Sequence, residues 1–173
     1  MAIHAASGVA AVLMDRRASL GMTILDINKA NTPRNPMATT EDNKQLARDY
    51  FQAFLDRDEA WWQAHIAPDF KRHDPGLPFQ VVGPGGVKQL ADALHPGIPD
   101  MRLPIEDVIA EGEKVLVRLR VQGTHGGDLM GLPATGKPID IAVLDLFQFR
   151  DGILVEHWAL LDNLGLMKQL GAL

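Results

Sequence analysis

The sequence predicts an α+β fold, a curled, mostly antiparallel sheet behind three leading helices. Three observations predict it. Between residues 40 and 94, apolar residues recur at helical spacing in three segments. From Met101 to Leu161 the apolar residues alternate instead, as in half-buried strands. Asp151-Gly152 joins two such alternating runs, a strong short-range hairpin signal. Helices followed by strands indicate α+β rather than a doubly wound parallel sheet.

Residues 1–38 read as an N-terminal extension and linker. A short helix capped by Ser7 and running to Leu20 is expected there, and the Pro- and Asn-rich stretch from Asn28 to Pro36 is the linker. The compact domain spans residues 39–173. Thr39 with Asp42 forms a cap before helix one, over 40–56, whose stripe is Leu46, Tyr50, Ala53 and Phe54. Asp58 caps helix two, over 59–66, in which at least one of Trp61 and Trp62 faces the core. Pro68 ends it, and Phe70–Asp74 is a short strand with His73 near its end. Val87, Leu90, Ala91 and Leu94 mark helix three, closed by Pro96-Gly97. In the strand after Met101, Pro104 calls for an edge position or a bulge. Val115, Val117, Leu119 and Val121 form the inner face of the next strand, and the same parity puts Gly123 and His125 inside. Leu164, Leu166, Met167 and Leu170 form a terminal helix after Asp162 or Asn163 as cap.

The stretch Ile139–Asp162 carries the chemistry. Odd positions of its first run are apolar except Asp145, and those of its second run are apolar except His157. A two-residue Asp-Gly loop sets Asp145 opposite Trp158, whereas a three-residue Arg-Asp-Gly loop sets it opposite His157. The second register also pairs Phe147 with Val155, Phe149 with Ile153 and Val143 with Ala159. It keeps the apolar residues on one face, so it is the expected register.

Composition narrows the function. A net charge of −5 without a basic stripe argues against nucleic acid as a partner. With no cysteine there is no disulfide, thiolate metal site or Cys nucleophile, which fits a reducing cytoplasm. No run approaches the ~18 apolar residues of a membrane span, so no membrane partner is expected. His73, His125 and His157 lack the spacing of a metal motif, so no metal site is expected. An Asp beside a His in apolar surroundings is expected to titrate near neutrality. The Asp fixes the imidazole tautomer and leaves the other nitrogen free for a proton, a unit suited to a carbonyl compound. A buried pair that only satisfies itself fits the same pattern.

A series of motifs then points to a family. It runs Pro68-Asp69-Phe70, His73-Asp74-Pro75, Pro99-Asp100-Met101, Val121–Gly127, Met130–Lys137, Asp151-Gly152-Ile153, Glu156-His157-Trp158 and Asp162–Leu166. Over roughly residues 40–173 this order resembles the SnoaL-like polyketide cyclase, or ester cyclase, family of the nuclear-transport-factor-2-like superfamily. The resemblance implies a cone-shaped α+β barrel enclosing a deep apolar pocket, a homodimer, and neither cofactor nor metal. In the family's characterised cyclases, an acid just after the Glu-x-Trp segment drives an intramolecular aldol closure. Histidine and glutamine on the neighbouring strand assist it. On this chain the acid falls at Ala159 and its partners near Asp145 and Val143, and neither Ala159 nor Val143 can do that chemistry.

The expectation is therefore a cofactor-free, cyclase-like enzyme using acid–base catalysis on a small apolar carbonyl or ester metabolite. Asp145 is the base or its orienter and His157 the proton carrier. His73 and His125 hold the substrate near the mouth, Trp158 is wall or adjacent packing, and Phe147, Val143 and Ala159 complete the surface. The alternative is a non-catalytic protein of the same fold that binds a hydrophobic ligand or sits in an assembly. Epoxide hydrolysis would require further acids and an Arg converging in the pocket.

Overall fold

The computed structural model describes residues 38–173, so the expected extension, apart from Ala38, lies outside the described residues. Helix α1 (Thr40–Asp56) begins at a full capping box, Thr39 and Asp42 each accepting from the other's backbone N–H. It ends at Arg57, whose left-handed backbone (φ 56°) turns the chain. Its buried face includes Ala47, Tyr50, Phe51 and Phe54, as the spacing predicts. Helix α2 (Glu59–His65) is capped by Asp58 and buries Trp62, while Trp61 is half-buried and stacks on His65.

Strand β1 (Ile66–His73) starts four residues earlier than the predicted strand and contains Pro68, which therefore ends no helix. A proline cannot donate to a sheet ladder, and the pairing of β1 with its neighbour is irregular between Ile66 and Lys71, where Pro68 sits. Strand β2 (Val81–Val82) was not anticipated; two residues are too short to leave a periodic signal. Helix α3 (Gly83–Leu94) follows, with Val87, Leu90 and Ala91 buried. Strands β3 (Ile105–Glu111), β4 (Lys114–Thr124), β5 (Pro138–Arg150) and β6 (Ile153–Leu161) precede helix α4 (Asn163–Leu170), which Asp162 caps.

The six strands form one unclosed sheet in the order β2-β1-β6-β5-β4-β3. Only the β1/β6 pair is parallel. β3 begins after Pro104 and occupies an edge, as that proline requires. Helices α1 and α3 pack against β3–β4 and β1–β2, and α4 against β5. Among the described residues no helix is long and apolar enough to cross a membrane.

The hairpin corrects the expected register. Arg150 pairs with Ile153, so the loop is the two-residue Asp151-Gly152 turn, both residues with positive φ (51° and 76°). A shift between Gln148 and Phe149 then leaves Val155 as an extra residue, because Phe149 pairs with Leu154 and Gln148 with Glu156. Beyond the bulge Asp145 pairs with Ala159, Phe147 with His157 and Val143 with Leu161. Asp145 and His157 share a face as predicted, but as diagonal neighbours rather than a direct pair. Before the bulge the buried residue is Leu154, not Ile153 or Val155.

Candidate active site

The concave side of the sheet, α1, α3 and α4 enclose a cavity of about 100 Å³. Its wall is mainly apolar: Phe51 and Phe54 from α1, Leu90 and Leu94 from α3, Leu119 and Val121 from β4, Ile139, Ile141 and Val143 from β5. Polar side chains enter the lining at Tyr50, Arg72, Asp74, Asp145 and Asn163. A mostly apolar cavity with a few convergent polar groups is the usual form of a small-molecule site.

Three of these polar residues, Arg72, Asp74 and Asp145, join His157 in one network. Arg72 donates through Nε and Nη2 to Asp74 Oδ2 (3.2 and 2.9 Å), and Asp74 Oδ1 accepts from the Gly76 N–H. The Arg72 Nη1 lies 3.2 Å from His157 Nδ1. A guanidinium can only donate, so Nδ1 is the accepting nitrogen and the proton sits on Nε2. That Nε2 is 3.2 Å from Asp145 Oδ2, within ion-pair distance but off the axis of a good hydrogen bond. Asp145 Oδ1 and the Tyr50 hydroxyl are buried without a partner in the protein.

Burial sets the electrostatics. His157 is fully buried, stacked on Phe147 (4.2 Å) and edge-on to Tyr50 (5.5 Å). Desolvation, reinforced by the Arg72 charge and opposed by Asp145, holds its pKa below the ordinary histidine value. It is therefore uncharged at neutral pH, which corrects the expectation that it titrates there. Burial also pulls on the Arg72 guanidinium, but Asp145, Tyr50 and Asp74 outweigh it and hold its pKa above the ordinary value. The Tyr50 hydroxyl is pushed up to about 12, mainly by burial and against the pull of Arg72.

Of the predicted site residues, Asp145 and Val143 line the cavity. His157, Phe147 and Ala159 are buried beside Asp145 without lining it. The expected contacts of His73 and His125 with the cavity are not formed. His73 is half exposed, stacks on Trp158 (5.2 Å) and meets Glu156 at 2.8 Å, because strand parity turns Arg72 inward and His73 outward. Trp158 shares that outer side, as adjacent packing rather than wall. His125 is fully buried but lies past the end of β4, where Nδ1 contacts Thr135 Oγ1 at 3.0 Å and accepts from the Thr135 N–H. The sequence reading missed Arg72, Asp74 and Tyr50. The signal for the first two was present: Phe70, Arg72 and Asp74 are spaced by two, so the parity of buried Phe70 carries both toward the interior.

Residues 44–170 match the sequence family described as SnoaL-like polyketide cyclase. The chain belongs to this family. Among solved structures, a SnoaL-like protein from Jannaschia sp. CCS1 shares the fold, with a TM-score of 0.71 at 24% identity over 80% of this chain and 96% of its own. IdmH from Streptomyces antibioticus, a candidate polyketide cyclase, is 30% identical over 75% of this chain and 98% of its own, TM-score 0.62. AclR from Streptomyces galilaeus, a candidate hydroxylase, is 26% identical over 78% and 84%, TM-score 0.67. No curated protein sequence matches the chain. The similarity establishes the SnoaL-like, nuclear-transport-factor-2-like cone fold and a cyclase-like family; the reaction must be argued from the cavity.

Proposed function

We propose that this SnoaL-like protein is a cofactor-free enzyme that moves a proton on a small apolar carbonyl or ester metabolite, with Asp145 as the base. The carrying observation is a buried carboxylate among the few polar side chains that line a mainly apolar cavity. His157 is assigned a supporting role: it sits behind Asp145, neutral, with its Nε2 3.2 Å from the carboxylate. Asp145 faces Ala159 across the hairpin, the position where the family resemblance places the acid. A carboxylate from β5 thus stands beside the residue of β6 that lacks one. The test is exchange of the acidic α-hydrogens of aromatic ketones, β-keto esters and lactones in D2O, followed by NMR. Wild type should exchange at least one substrate, and Asp145→Asn should lose about 10²-fold or more of that rate. A folded Asp145→Asn protein with full exchange sinks the proposal.

One observation favours a second reaction on the same cavity. Arg72 is held by Asp74 and acted on by Asp145, which supplies the converging acids and arginine that epoxide hydrolysis requires. In that reading Asp145 takes a proton from water, the water oxygen bonds to an epoxide carbon, and the released alkoxide is protonated to give a diol. Adding apolar epoxides to the panel in 18O-water decides between them, since only hydrolysis yields a labelled diol. The homodimer belongs to the proposal as well. Its support is the outer sheet face, where Leu144 pairs with Leu160 (42% and 62% exposed) and Leu146 with Trp158.

A further inference from the structure

The cavity is small for a metabolite site. Its volume of about 100 Å³ falls below the ~300 Å³ at which small-molecule pockets begin, so a ring compound enters only if one wall moves. The walls are not equally built. Phe51, Phe54, Leu90 and Val143 belong to the main core, which α1 and α3 hold. The rest of the lining comes largely from a second, smaller apolar cluster. There Leu129 and Leu132, from the connection between β4 and β5, pack with Leu166 and Leu170 of α4.

That connection, residues 125–137, is a closed loop. The His125 N–H donates to the Lys137 carbonyl and the Gly136 N–H to the His125 carbonyl (both 2.9 Å). The Thr135 N–H donates to His125 Nδ1 (3.3 Å). At the tip, Leu129 and Leu132 exchange two backbone hydrogen bonds (2.9 and 3.1 Å) around Met130 and Gly131, both at positive φ (50° and 89°). Met130 is 43% exposed and also lines the cavity, so the tip borders the mouth. Asn163, the first residue of α4, is likewise both exposed and part of the lining. Loop and helix are joined, since Lys137 Nζ donates to the Leu170 carbonyl (3.0 Å). Gln169 ties α4 to the sheet, its amide meeting the Asp140 N–H and carbonyl (both 2.9 Å).

We propose that residues 125–137 and α4 form one lid, which parts from the main core to admit ligand and closes over it. Small clusters at the edge of a fold open at lower cost than the core they lean on, and access lids are drawn from them. The second cluster keeps loop and helix together as they move. The inference rests on the cavity being the proposed site, and not on the reaction assigned to it.

The chain has no cysteine, so one engineered disulfide can lock the lid. A Cβ at Gly76, on the cavity lining, would stand 3.2 Å from Asn163 Cγ, so Gly76→Cys with Asn163→Cys brings two sulfurs within bonding reach. Amide hydrogen exchange by mass spectrometry and stopped-flow uptake of the neutral, polarity-sensitive fluorophore Prodan are the readouts. In wild type, amides of 126–136 and 163–170 should exchange together, and faster than those of β4 and β5. Oxidation of the double variant should slow both segments and Prodan uptake by about tenfold or more, and dithiothreitol should restore all three. Gln169→Ala removes the tie to Asp140 and should speed all three by about tenfold.

Exchange in 126–136 that ignores the disulfide or Gln169→Ala overturns the inference, because loop and helix then open separately. Prodan entering oxidised and reduced protein at the same rate overturns it too, as does no entry into either. Neither readout needs turnover. A gated cavity without proton exchange on the carbonyl panel or diol formation defeats the catalytic reading alone. Turnover that the oxidised lock leaves unchanged defeats the lid alone.

Discussion

Acidification from pH 8 to pH 5 should destabilise this fold through His157, and the sign and size follow from its surroundings. The imidazole is 0% exposed. It faces Arg72 from β1, Asp145 from β5 and Tyr50 from α1, with Asp74 on the far side of the guanidinium. Burial and Arg72 lower its folded-state pKa, whereas the unfolded chain offers an ordinary histidine near ~6.5. Below that value the unfolded state binds the extra proton, so stability rises with pH across the window. The contribution is complete above the unfolded value and is lost as pH falls below it. One proton sets a limiting slope of about 1.4 kcal/mol per pH unit. Full burial means that solvent screening does not dilute it.

The assay is urea unfolding of wild type and His157→Gln at half-unit steps of pH. Neither Arg72, held above its ordinary value, nor Tyr50, at about 12, titrates in this range. Groups common to both proteins cancel in the difference. The stability advantage of wild type should therefore be constant above pH 7 and shrink toward pH 5 with a slope approaching the one-proton limit. A difference that stays flat from pH 8 to pH 5 refutes the neutral, desolvated histidine. A difference that grows on acidification means that Asp145 dominates and that the imidazole is charged in the fold.

Two further outcomes test the frame around the site. Arg72 and Asp74 are 8% and 5% exposed and 2.9 Å apart, so Arg72→Met or Asp74→Asn alone leaves a buried group uncompensated and should cost about 3–5 kcal/mol. The double variant should be more stable than the sum of the two losses by over about 1 kcal/mol in urea unfolding, and strict additivity would show that the pair is not coupled. On the outer face, Leu160→Asp places a charge in the exposed apolar strip beside Leu144. Light scattering should show a dimer for wild type and a monomer for the variant, with the unfolding midpoint of the monomer little changed. A monomeric wild type removes the dimer from the proposal.

The sequence was legible wherever a period carried the information. Helical spacing marked α1 and α3, alternation marked β4 and β5, and Pro104 called for an edge position or a bulge, of which β3 takes the edge. The site was legible only in part, for physical reasons that differ from residue to residue. Tyr50 sits in the apolar stripe of α1, and a stripe read by its hydrophobicity gives no sign that one member lines a cavity and ends in a buried hydroxyl. Arg72 carries the charge of a solvent-facing residue, which by itself points outward like the neighbouring His73. Its position two residues after buried Phe70 was the better guide. His125 obeyed the parity of β4 and is indeed buried, but β4 ends at Thr124, and parity does not say which part of the interior a residue reaches.

The hairpin shows why a wrong register still located the right pair. A three-residue loop, and a two-residue turn followed by a one-residue bulge, both leave odd positions of β5 opposite odd positions of β6. What differs is the offset, which moves by two residues and takes Asp145 from His157 to Ala159. Burial selects the parity, since a shift of one would turn Asp145 and Phe147 outward together. Beyond the bulge it does not select between offsets of the same parity, because there either buries the same residues; only before it do they differ, with Leu154 buried in place of Ile153 and Val155. That choice falls to the turn. Asp151-Gly152 supplies two residues at positive φ for the tight loop, and Val155 absorbs the odd residue left over. The consequence for function is specific. On the diagonal, His157 can approach Asp145 from behind while Ala159, directly opposite, adds no bulk beside the carboxylate. A larger side chain at 159 would compete for the space around Asp145. On the proposed reading, the small residue at 159 is therefore also what leaves room for the Asp145 carboxylate from the opposite strand.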